Sequence, residues 1–177
     1  IYFALKLNMP WYVCLVMAIL VGALAGGFSG ILKAYCSVNE VISCIMLNWI
    51  SLYAVNVLLS QVKDGATPYT KSLKSVNKSA MIPSCGLNAF FSNNEYVTIG
   101  LIFAVLAAVI IWILLEKTKF GYELKATGMN SSAAKYCGMK EKKNAIVTMM
   151  IAGGLSGMGA AVFYLSGIET WMVQQTS

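Results

Sequence analysis

The string F-G-Y-E-L-K-A-T-G-M-N-S-S-A-A-K-Y-C-G-M, from Phe120 to Met139, is a polar, lysine-bearing connection set between two long runs without charge. Upstream, Tyr96 to Leu115 contains no Asp, Glu, Lys or Arg; downstream, Asn144 to Ile168 is equally free of them. Two more uncharged runs, Met9 to Leu32 and Val41 to Val62, lie nearer the amino end. A helix rising about 1.5 Å per residue needs roughly 20 residues to cross about 30 Å of hydrocarbon, and each run has that length. The expected fold is all-α, a polytopic transmembrane helical bundle. Residues 1–177 form part of a single membrane domain, with segments near 9–32, 41–62, 96–115 and 144–168 and polar connections at 63–95 and 116–143.

Composition names the solvent. Hydrophobic residues make up 58% of the chain and charged residues 11%, against about 25% charged in an ordinary soluble domain. Mean hydropathy is +0.70. Four buried helices in a soluble protein of 177 residues would leave almost nothing to face water, so the bilayer is the partner of these surfaces. The chain begins at Ile1 and stops at Ser177 just after a membrane segment, without a signal-peptide layout. It is therefore expected to be an internal piece of a longer membrane protein.

Orientation rests on lysine, because arginine does not occur. The connection from Glu116 to Lys143 holds seven lysines, and that from Lys63 to Glu95 holds four. The positive-inside rule puts 116–143 in the cytoplasm and, by alternation, 63–95 outside. The formal charge of +6 is explained by an inner face toward anionic lipid, and no nucleic acid is needed.

Histidine is absent, which removes histidine-based triads, proton shuttles and zinc sites; no metal set is expected. Cys14, Cys36, Cys44, Cys85 and Cys137 show no C-x-x-C spacing and read as small apolar fillers. No phosphate loop of the form G-x-x-x-x-G-K-[S/T] occurs, so energy for transport against a gradient must come from a partner or an ion.

Gly22, Gly26 and Gly30 recur at every fourth position and line one helical face, and Gly153 and Gly157 repeat the device in the last segment. Such faces let helices approach backbone to backbone. A static contact and a surface that slides during transport both fit, and a helix broken near Gly26 and Gly27 is also compatible. In the second segment, Ser37 and Glu40 have capping-box spacing; the other reading has Asn39 and Glu40 gating the inner mouth of a pore. Asn48 and Asn56 are amides in a lipid-length run, where an unpaired amide costs several kcal/mol. With Ser43, Ser51 and Trp49 they offer donors, acceptors and a stacking ring to a sugar or nucleoside, or they serve as interhelical glue. In the 63–95 connection, Asp64-Gly65 and Thr67-Pro68 mark turns, and Asn77-Lys78-Ser79 fits a glycosylation sequon.

Asn130 is a good amino-terminal cap and Gly138 a good carboxy-terminal one, with roughly two helical turns between them: Ser131, Ser132, Ala133, Ala134, Lys135, Tyr136 and Cys137. Ala133, Tyr136 and Cys137 share a face, Ala134 borders it and Lys135 points elsewhere. Small residues suit close seating in a protein groove, whereas a helix resting on lipid would carry Leu or Phe. This short helix is the expected docking element.

G-I-L-K-A (Gly30 to Ala34), N-E-V-I-S-C-I-M-L-N-W (Asn39 to Trp49) and the inner string from Lys117 to Met139, followed by a glycine-rich helix, resemble ABC importer permeases. More narrowly, the chain is similar to the superfamily for branched-chain amino acids and monosaccharides, in its simple-sugar and nucleoside branch. The resemblance runs from about Gly22 to Gly167. It implies that Asn130, Ala133, Ala134 and Gly138 belong to a coupling helix seated on an ABC ATPase subunit, which binds the ATP. It also implies a second permease subunit, identical or different, an extracytoplasmic substrate-binding protein, and a bacterial plasma membrane. No cofactor is expected on this chain, which is not itself an enzyme. Lys125 and Lys135 stand where many members carry arginine, and the family's glycine-rich motif downstream is not contained. The other class to weigh is an ion-coupled secondary transporter or other polytopic protein. Such transporters often place acidic residues in mid-membrane, and none of the four runs has one.

Overall fold

A segment in hydrocarbon must satisfy its own backbone, and a helix does so within one stretch of chain. The computed structural model describes residues 2–36, 38–62, 69–83, 99–167 and 170–173, and it has a helix at each of the four uncharged runs. These are α2 (Trp11–Cys36), α3 (Glu40–Ser60), α5 (Gly100–Lys117) and α8 (Glu141–Leu165), each long and apolar enough to cross a membrane. Shorter helices fill the connections: α1 (Tyr2–Lys6), α4 (Leu73–Val76), α6 (Lys119–Met129) and α7 (Ser131–Tyr136), with a 3-10 turn at Lys78–Ala80. An isolated antiparallel bridge joins Tyr69 and Met172. The expected turns at Asp64-Gly65 and Thr67-Pro68, and Cys85, lie outside the described residues.

The chain divides into two compact units. One comprises Ile1–Ala18, Ile45–Leu101 and Met158–Ser177. Its core gathers Ala4, Leu5, Cys14, Val62, Leu73, Ala80, Ile82, Ala161 and Leu165. Asn8, with φ of 49°, and Pro10 separate α1 from α2, since neither conformation continues a helix. Asn77 is buried; its amide nitrogen donates to the carbonyls of Ala4 and Met9, both at 3.2 Å, and its oxygen accepts from the Ser79 amide at 3.1 Å. The sequon reading is corrected accordingly: this side chain is spent inside the fold and is closed to modification.

The second unit comprises Ile19–Cys44 and Ile102–Gly157, and the glycine seam lies in it. A Cβ on Gly22 or Gly26 would overlap the carbonyl of Gly153 or Met149, and one on Gly30 would stand 3.0 Å from the Ile146 Cα. That Cβ on Gly22 would also stand 3.2 Å from the Gly157 Cα. The two glycine series therefore meet each other, α2 against α8, and α2 runs unbroken through Gly26 and Gly27. Ser29 adds a bond from its hydroxyl to the Gly26 carbonyl at 2.9 Å.

Candidate functional site

The 116–143 connection folds into two helices, of which only the second was legible as a motif. Thr118 sets the first. Its hydroxyl donates to the Leu114 carbonyl at 2.6 Å, closing α5, and accepts from the Gly121 amide at 3.1 Å, capping α6. A Cβ on Gly121 would run into the carbonyls of Leu114 and Leu115, so this reversal accepts glycine and nothing larger. Lys125 on α6 pairs with Glu116 at the end of α5. Asn144, buried at the first turn of α8, donates to the Thr127 hydroxyl at 3.2 Å and ties α6 to that span.

Asn130 ends α6 and begins α7. Its backbone amide bonds to the Ala126 carbonyl at 3.1 Å, and its side-chain oxygen accepts from the Ala133 amide at 3.0 Å. Gly138 has φ of +79°; its amide bonds to Lys135, and that of Met139 to Ala134, each at 3.0 Å. These are the two bonds of a Schellman stop, so both expected caps are formed.

Ala133, Tyr136 and Cys137 are exposed together, Tyr136 at 94% of its full surface. Ala134 is different: only 4% exposed, it turns into its own chain. Ala134 therefore anchors α7 from behind, and its expected place at the border of the docking face is corrected. Met129, 89% exposed on the last turn of α6, joins Tyr136 as an uncovered apolar side chain that sequence spacing did not single out. Ser131 is half-buried, and Ser132 and Lys135 are exposed.

The polar residues of α3 separate into distinct roles. Asn39 caps α3, accepting from the Val41 amide at 3.0 Å. Glu40 is thus the first helical residue and not the third, which corrects the capping box with Ser37; Ser37 itself lies outside the described residues. Glu40 pairs with Lys33 across the turn from α2. Ser43 is buried. Asn56 is buried and accepts from the Trp171 ring nitrogen at 3.2 Å. Its partner is 115 positions away, beyond the reach of any local spacing rule. Asn48 is exposed on this chain's surface, with no side-chain hydrogen bond among the described residues. Beside it Trp49 stacks on Tyr53 with ring centroids 6.3 Å apart and planes at 28°; Tyr53 was not anticipated. Among the described residues no group of His, Cys, Asp and Glu side chains could hold a metal ion.

Four lipid-length helices, a backbone-to-backbone seam and a capped helix exposed between spans define a multi-pass helical membrane protein, here of a bacterial plasma membrane. The profile of the family described as branched-chain amino acid transport system / permease component matches residues 1–176, and the chain belongs to that family. It is 36% identical over 164 residues to the guanosine ABC transporter permease protein NupP of Bacillus subtilis (strain 168), covering 90% of this chain and 46% of the relative. It is 32% identical over 187 aligned residues to the nucleoside ABC transporter permease protein NupB of Lactococcus lactis subsp. cremoris (strain MG1363), covering 99% and 50%. Identity to the galactose/methyl galactoside import permease protein MglC of Haemophilus influenzae is 29% over 156 residues, covering 86% and 43%. The chain spans about half the length of the first two relatives. No solved structure matches it.

Proposed function

We propose that this chain is part of the permease subunit of an ATP-binding-cassette importer that conducts a nucleoside or simple sugar inward while a separate ATPase subunit hydrolyses ATP. A second permease subunit completes the pathway, and an extracytoplasmic binding protein delivers the substrate. The observation that carries the reading is α7: a helix stopped at both ends by its own caps, anchored behind by Ala134, with Ala133, Tyr136 and Cys137 uncovered. A helix that must transmit force has to be rigid and attached; the Thr118 cap and the Asn144–Thr127 bond attach α6 to α5 and α8, and Asn130 joins α6 to α7. Nucleosides are favoured over sugars by the names of the Bacillus and Lactococcus relatives and by the stacked Trp49–Tyr53 pair beside Asn48, which suits a planar base with hydrogen-bonding edges.

The test is Tyr136→Ala in the full-length protein. A tyrosine ring buries about 150–250 Å² when fully covered, and central aromatic anchors at interfaces cost 2 kcal/mol or more on truncation, as a rough guide. Affinity for the ATPase subunit, measured by co-purification and titration in detergent, is expected to fall at least about thirtyfold, with membrane insertion unchanged. Unaltered affinity would remove α7 from the docking surface.

A further inference from the structure

A cleft of about 470 Å³ opens beside the docking helix, lined by Lys119, Phe120 and Glu123 from α6 and by Met139, Lys140 and Lys143 around the start of α8. Three lysines and one glutamate are among its lining residues. Lys33 and Lys125 are paired with Glu40 and Glu116, but Lys119, Lys140 and Lys143 make no ion pair among the described residues. Excess unpaired charge in a concave site calls for an anion.

The position of the cleft narrows the choice. Lys119 and Phe120 follow directly on the end of α5 at Lys117, and Lys143 immediately precedes the uncharged run of α8 that begins at Asn144. Both sides of the cleft therefore stand where lipid-length helices leave the hydrocarbon, at the depth of headgroups. Phe120 and Met139 add apolar surface to the same lining; a free inorganic anion has no use for it, and an amphiphile does.

We propose that this cleft binds the phosphate headgroup of an anionic phospholipid, with Lys119, Lys140 and Lys143 on the phosphate and Phe120 and Met139 against the glycerol and first acyl methylenes. A lipid held there bridges α6 to the start of α8 and stiffens the connection that carries α7. Three basic residues near a membrane surface together favour an anionic over a zwitterionic lipid by about a hundredfold. The proposal does not depend on the identity of the transported substrate.

The experiment uses the full-length permease purified without an ATPase subunit and titrated with phosphatidylglycerol or phosphatidylcholine under native mass spectrometry. Wild type is expected to retain phosphatidylglycerol preferentially, and Lys119→Gln/Lys140→Gln/Lys143→Gln to lose most of that preference. Lys33→Gln/Lys117→Gln/Lys125→Gln, with the same change in net charge, should keep it. The arginine triple at 119, 140 and 143 should also keep it, which separates loss of charge from loss of fold. Equal retention of the two lipids by wild type, or equal loss in the two glutamine triples, overturns the proposal. Displacement of phosphatidylglycerol by millimolar inorganic phosphate overturns it in favour of a soluble-anion site. Preserved lipid preference in the 119/140/143 glutamine triple likewise overturns it; if that triple, in a separate co-purification, also fails to retain the ATPase subunit, the three lysines belong to a protein interface.

Discussion

Replacing Gly153 by Ala adds one methyl group inside the α2–α8 seam. The new Cβ would overlap the Gly22 carbonyl and stand 3.1 Å from the Gly26 Cα, and both are backbone atoms that no side-chain rotation can move. The helices must separate or turn, and overpacking of this kind costs about 1–3 kcal/mol. Against that stands the better helix propensity of alanine, worth up to about 1 kcal/mol. The net expectation is a loss of roughly 1–2 kcal/mol, or a fall of a few degrees in Tm at about 2–4 °C per kcal/mol. Gly159 lies on the same helix with nothing among the described residues within 4 Å of its Cβ position, so Gly159→Ala retains only the propensity gain and should leave Tm unchanged or raise it. Thermal unfolding of the purified full-length permease in one detergent reads both. Equal effects of the two substitutions would refute the seam as a backbone-to-backbone contact, because the same methyl group is expected to lower Tm at 153 and not at 159.

The two amides of α3 should behave differently. Asn56→Leu strands the Trp171 ring N–H and should cost about 1–3 kcal/mol of stability without altering which substrates are carried, whereas Asn48→Leu should leave Tm alone and reduce uptake of nucleoside or sugar; the reverse pattern would exchange their roles. For topology, Ser132→Cys and Lys71→Cys in a background without the native cysteines are tested with an impermeant thiol reagent on intact cells. Labelling is expected at 71 and not at 132, and the opposite result would invert the orientation read from the lysines.

The spans were legible because hydrocarbon sets one crude requirement, about 20 uncharged residues, that the sequence either meets or does not. The caps of α7 were legible for a related reason: Asn130 and Gly138 act on bonds within a few positions of themselves. Facing direction was harder. Spacing groups Ala133, Tyr136 and Cys137 on one side of a helix, but only the packing shows that Ala134 is the residue turned inward. The first helix of the connection was missed because its signal, Thr118 followed three residues later by Gly121, is a turn device that looks polar and unstructured until the Leu114 carbonyl is seen beside it. At α3 the spacing pointed to Ser37 as the cap, whereas Asn39 takes that place, and two residues of register decide whether Glu40 reaches back to the backbone or out to Lys33. Asn56 and Asn77 illustrate the remaining class. Their partners come from distant sequence, Trp171 in one case and Ala4 and Met9 in the other, and no periodicity encodes such pairs.

We propose that the full-length permease works only when a separate ATPase drives it. The direct measurement is uptake of labelled nucleoside into proteoliposomes that contain the full-length permease, its partner permease where one exists, the ATPase subunit and the substrate-binding protein. Uptake is expected only with ATP and every component present, and it should fall to background with Tyr136→Ala. Uptake by the permease alone, following an imposed ion gradient and indifferent to ATP, would instead make the protein an ion-driven carrier and rule out the ATPase-driven reading.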